Sequence, residues 1–77
     1  MGIKSALDQE AATTFWKNVV GEAVSLVTKA EKVEAGTLIV KVESSVWRQE
    51  LHMQKEDIIK KINKKIGTRA IREIRLV

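Results

Sequence analysis

The sequence predicts an α+β fold: an N-terminal helix or helices, a β-hairpin, a long helix and a final strand, with the helices packed on one face of a three-stranded mixed sheet. Three observations predict it. Between Ser45 and Lys65, Trp47, Leu51, Ile58, Ile59 and Ile62, continued by Ile66, fall in one arc of about 120° when residues are placed at helical steps. Thr37-Leu-Ile-Val-Lys-Val-Glu43 alternates as a strand does, with Leu38, Val40 and Val42 on one side and Ile39, Lys41 and Glu43 on the other. Residues 70–77 alternate again. A strand on each side of a helix is the pattern of a crossover connection between parallel strands.

Residues 3–27 read as helix, because Trp16, Val20, Ala23 and Val27 share one apolar stripe that Phe15 and Val19 widen. Ile3, Leu7 and Ala11 either continue that helix or form a short one of their own, with Thr13 as the cap of a new helix; residues 1–12 are then a separate helix or a flexible segment. Gly21 sits inside the stripe, where glycine costs about 1 kcal/mol relative to alanine, and marks a kink or a close backbone approach.

Residues 28–35 are weakly strand-like, and Ala35-Gly36 supplies a turn, so this segment is the hairpin partner of Thr37–Glu43. Lys29, Glu31, Lys32 and Glu34 blunt it as an edge strand. An edge strand also allows a homodimer through sheet extension. Ser44 or Ser45 caps the long helix, and Gly67 closes it. The spacings Glu56 to Lys60 and Asp57 to Lys61 are favoured ion-pair spacings on a helix and engage those two lysines. In the last strand Ile74 and Leu76 share a face with Arg72, leaving Ile71, Glu73, Arg75 and Val77 on the other. The face turned away from the helices then shows Ile39 and Ile71 beside Lys41, Arg69 and Arg75, a mixed apolar and basic surface suited to a partner; the bland alternative is that isolated exposed aliphatics are ordinary.

Composition narrows the function classes. The chain has 77 residues, enough for one small domain, and its aromatics are Phe15, Trp16 and Trp47. It contains no cysteine, which removes disulfides and thiolate metal sites and fits a cytoplasmic location. No apolar run approaches the roughly 20 residues that span a bilayer, and Met1–Ser5 has no leader-like apolar core, so no membrane association is expected. His52 is the single histidine, so no nucleophile–base pair can be assembled, and no glycine-rich phosphate loop follows a strand. Glu56 and Asp57 are adjacent on a helix and splay apart. Neither catalysis nor a metal or other cofactor is expected.

The net charge of +4 is uneven: residues 1–53 carry −1 and residues 54–77 carry +5. Such asymmetry points to a polyanion, although it serves solubility equally well. Lys60, Lys61, Lys64 and Lys65 on the helix, with Arg69, Arg72 and Arg75 after it, are the candidate nucleic-acid-binding residues. They would hold phosphates without reading bases, and no aromatic lies on the outer sheet face to stack one. Ile39, Lys41 and Ile71 are the candidate partner-binding residues.

The ordered set Trp16-Lys-Asn-Val-Val-Gly21, Gly36-Thr-Leu-Ile-Val-Lys-Val-Glu43, Ser45-Val-Trp-Arg-Gln-Glu-Leu51, Ile62-Asn63, Gly67 and Ile71-Arg-Glu-Ile-Arg-Leu76 resembles the DciA family of bacterial helicase loaders, from about Phe15 to Leu76. The resemblance implies one KH-like domain over residues 1–77, DNA binding, single- or double-stranded and weakly sequence-selective, contact with a DnaB-type replicative helicase, and no catalytic activity. It also leaves an RNA-binding KH-like module, or a protein-interaction adaptor without a helicase role, as alternatives. Two departures stand out. The chain has no Gly-x-x-Gly loop, so a KH-type clamp on nucleotides is not implied. It also lacks the long disordered extension common in the family, so helicase contact is expected from the domain itself. Trp16 and Gly21 match family positions and read as structural, as does Trp47.

Overall fold

The structure, a computed structural model, describes residues 3–77, with side chains from Glu10 onward. Met1 and Gly2, and the side chains of Ile3 and Leu7, lie outside the described residues. The elements are α1 (Ile3–Val20), α2 (Glu22–Leu26), β1 (Thr28–Glu34), β2 (Thr37–Val42), α3 (Ser45–Met53), α4 (Lys55–Ile66) and β3 (Glu73–Leu76). The sheet order is β1-β2-β3, with β1 antiparallel and β3 parallel to β2, so the expected α+β fold with a mixed three-stranded sheet is present. The α3–α4 pair is the crossover that parallel strands require.

Of the two readings the sequence left open for the N-terminal region, the continuous helix is the one present. α1 runs unbroken through Thr13, whose hydroxyl donates to the Glu10 carbonyl at 2.8 Å and so is spent inside the helix instead of capping a new one. The break comes at Gly21, with φ 91° and ψ 166°, a backbone region that glycine alone visits readily. Nothing lies within 4 Å of where its Cβ would stand, so conformation and not crowding calls for glycine. Past that break the apolar stripe changes phase: Val24 is buried and Ala23 exposed. Thr28 then ties the entry of β1 to both helices, accepting from Trp16 Nε1 at 2.9 Å and donating to the Val24 carbonyl at 2.8 Å.

Leu38, Val40 and Val42 of β2 face the core with Ile74 of β3. Ala12 and Trp16 of α1, Leu51 of α3, and Ile58 and Ile62 of α4 close over them. Trp47 is half-buried against this cluster.

The single long helix expected over Ser45–Lys65 is two helices. Ser44 caps α3, its Oγ accepting from the Trp47 N–H at 3.3 Å. At Gln54 (φ −99°, ψ 6°) the N–H reaches back to the Leu51 carbonyl, and the Gln54 carbonyl opens α4 by accepting from the Ile58 N–H. The break re-aims the chain, so that α3 meets the end of β2 while α4 lies against α1 and β3. Glu56 and Asp57 then occupy the first turn of α4, where they complement its dipole. Gly67 ends α4 in the left-handed conformation, as expected.

Ile71 is corrected as well. It is 1% exposed and belongs to the core, not to an outer face. β3 begins only at Glu73, so strand alternation does not reach Ile71, whose backbone is held by Asn63 of α4. Ile39 does turn away from the core cluster, yet it is only 8% exposed. Its register neighbours are Lys32 and Arg75.

Candidate nucleic-acid interface

α4 is anchored by Ile58 and Ile62, and this fixes its rotation. At 100° per residue, Lys60 and Lys64 lie about 160° from Ile62, pointing out, while Lys61 and Lys65 lean toward one flank. That flank faces α1: a groove of about 480 Å³ is lined by Asn18, Val19, Lys61, Lys64 and Lys65. All four lysines are exposed. The ion pairs found among the described residues are Lys32–Glu34 at 3.4 Å and Lys55–Glu73 at 3.9 Å. Glu56 and Asp57 therefore do not engage Lys60 and Lys61 as their spacing promised, and none of the four lysines closes an ion pair among the described residues.

The three arginines do not join that ridge. Arg69 is exposed in the irregular segment after Gly67. Arg72 is a strut: its Nη2 donates to the Ala35 carbonyl at 3.1 Å, and its N–H donates to the Gly36 carbonyl at 2.8 Å. A Cβ on Gly36 would come within 2.9 Å of Arg72 Nε, so the turn glycine is matched to this arginine. Arg75 alternates with buried Ile74 and so lies on the sheet face opposite the core.

That outer face is ordered in rows by the register. Glu34, Thr37 and Glu73 form an acidic row; Lys32, Ile39 and Arg75 form the next; Lys29 and Lys41 continue beyond. Lys41 pairs with Lys29, and the next row holds Lys32 and Arg75; the sequence presented Lys29 and Lys32 only as edge-blunting charges. A second groove, of 570 Å³, runs between α3 and the outer edge of β3, with Arg48, His52, Lys55 and Arg75 among its walls. Arg48 was likewise not singled out by the sequence, although it sits at i, i+4 from His52 on one side of α3.

Among the described residues no helix is long and apolar enough to cross a membrane, and no three His, Cys, Asp or Glu side chains gather as metal ligands would. In comparison with known proteins, a UPF0232 protein from Corynebacterium glutamicum (strain R) is 28% identical over 64 residues, covering 83% of this chain and 36% of that protein. The chain thus spans about a third of the length of this curated relative. The family model described as Dna[CI] antecedent, DciA, matches residues 1–76, nearly the whole sequence, and this chain belongs to the DciA family.

Proposed function

We propose that this chain is a non-enzymatic DNA-binding protein of DNA replication, working in the cytoplasm as a loader or accessory of a DnaB-type replicative helicase. Family membership supports the replication role. The observation that carries the DNA reading is the ridge of Lys60, Lys61, Lys64 and Lys65: four exposed cations on one helix, with no carboxylate among the described residues closing on them. Such a surface holds phosphates and reads no bases, so binding is weakly sequence-selective and salt-sensitive. Arg69, exposed after Gly67, is a separate candidate phosphate contact off the ridge. The order helix, helix, strand, strand, helix, helix, strand, with a mixed three-stranded sheet, supports the KH-like assignment.

A second reading places a protein partner on the outer sheet face. The rows around Ile39 and Lys41 favour it, because the cations there surround an aliphatic side chain. Ile71 takes no part, being in the core.

Fluorescence anisotropy with labelled single- and double-stranded DNA over a salt series tests the proposal. Four phosphate contacts predict a log–log slope of roughly −3 to −4, steeper for duplex than for single strands. Reversing the four ridge lysines to glutamate should remove binding while circular dichroism stays unchanged. Equal affinity in that variant, or no binding at low salt, would overturn the DNA reading.

A further inference from the structure

We infer that the groove between α3 and β3 receives an extended acidic segment of a partner protein, which adds to the sheet as a fourth strand beside β3. Among the described residues the strand order leaves the outer edge of β3 without a neighbouring strand. Val77 exchanges bonds with β2, its N–H donating to the Val40 carbonyl at 2.9 Å and its carbonyl accepting from the Val42 N–H at 3.0 Å. By alternation Glu73 and Arg75 also turn their backbones to β2, so Ile74 and Leu76 turn theirs outward, into the groove.

One of these outward groups shows what the edge accepts. The Ile74 N–H donates to Glu73 Oε1 at 2.8 Å, and the same oxygen lies 3.9 Å from Lys55 Nζ. A carboxylate of the chain itself thus fills one position of the edge and is neutralised by the groove wall. The remaining cations, Arg48 and Arg75, are left for an incoming acid; Arg48 is held at the mouth by its bond to the Val42 carbonyl at 2.8 Å. A second cleft along Arg72 and Glu73 shares His52 and Lys55 with the groove and adds Met53, Glu56 and Ile59; Glu56 turns the acidic part of the segment toward Arg48 and Arg75. Met53 is 73% exposed and gives an apolar side chain of the partner a contact.

Backbone chemistry favours a peptide over a nucleic acid here. A strand edge offers N–H donors and carbonyl acceptors alternately. A peptide answers both, as in other strand-addition complexes. A phosphodiester backbone would set its anionic oxygens against the carbonyls of Ile74 and Leu76. This inference does not depend on DNA binding by α4.

The test is amide NMR and hydrogen exchange of the whole chain with three probes: a hexapeptide of alternating glutamate and valine, its lysine counterpart, and oligothymidylate. The glutamate peptide should shift the amides of Ile74 to Leu76 and, at about nine times its Kd, slow exchange at Leu76 about tenfold. Leu76→Pro, read at the Ile74 and Arg75 amides because proline has none of its own, should lose the peptide-induced shifts and keep the fold, because proline is tolerated in an edge strand where the N–H points outward. Arg75→Glu should weaken the response with the edge donors intact, and Lys64→Glu should leave it unchanged. Equal binding of the lysine peptide, an undiminished response in Leu76→Pro, or protection of Leu76 by oligothymidylate alone would overturn the inference.

Discussion

The side-chain amide of Asn63 bonds both backbone groups of Ile71: Nδ2 donates to the carbonyl at 2.8 Å, and the Ile71 N–H donates to Oδ1 at 2.9 Å. One residue of α4 thereby does what a sheet ladder does elsewhere, in a segment that has no strand partner. It also presses the Ile71 side chain into the core, where Ile62 and Ile74 lie.

Two hydrogen bonds at about 1 kcal/mol each make Asn63→Ala destabilising by about 2 kcal/mol. For a domain of this size the melting temperature should fall by roughly 8–16 °C. Asn63→Asp should not restore it, since a carboxylate has no donor for the Ile71 carbonyl. Thermal melts followed by circular dichroism decide; a wild-type melting temperature in the alanine variant would show that the clamp carries no stability.

This clamp also explains where the sequence misled. The hairpin and β2 were legible because alternation and the Ala35-Gly36 turn agree, and Ser44, Gly21 and Gly67 each punctuate as glycine and serine should. The α3–α4 break was not, because no glycine or proline marks it. Leu51 and Ile58 are seven residues apart and stay on one stripe, whether the helix is broken or continuous. The trace it did leave is Glu56-Asp57, first-turn acids that instead read as partners for lysines. Ile71 was misplaced by extending strand alternation into a segment that is not a strand. The basic bias was plain in the sequence. Its division into a helix ridge, a strut and a sheet face was not, because that depends on which side of the sheet α4 covers.

Gly21→Ala should destabilise by about 1–3 kcal/mol through backbone strain alone, given its φ of 91° and ψ of 166° and the open space around it. Gly21→Asn should fare no better, because asparagine relieves the left-handed helical region and not this one. Denaturant melts with unchanged m-values would support this. A neutral alanine variant would mean that the α1–α2 junction simply re-forms as continuous helix.

Gly36 and Arg72 should be energetically coupled. Arg72→Ala removes the bond to the Ala35 carbonyl and should cost about 1 kcal/mol. Gly36→Ala strains a backbone at φ 83° and also displaces the guanidinium, 2.9 Å from the new Cβ. In the double variant the displacement no longer matters, so its cost should fall short of the sum by about 0.5–1 kcal/mol. Strict additivity in denaturant melts would remove Arg72 from the turn. The same Arg72→Ala protein should bind DNA with an unaltered salt slope, because its arginine is a structural strut.

Lys64 gives the contrasting outcome. It projects away from Ile62 and closes no ion pair among the described residues, so Lys64→Ala should change stability by no more than about 0.5 kcal/mol. If the ridge lies on DNA, the variant loses one phosphate contact, and the slope of log affinity against log salt should become shallower by about 0.9 on duplex and about 0.7 on single strands. The loss should be the same on oligonucleotides of different sequence, since a lysine on a phosphate carries no base information. A sequence-dependent loss would instead place Lys64 at a base edge. An unchanged slope, with Arg75→Glu or Lys41→Glu producing the change, would move the DNA from the helix ridge to the outer face of the sheet.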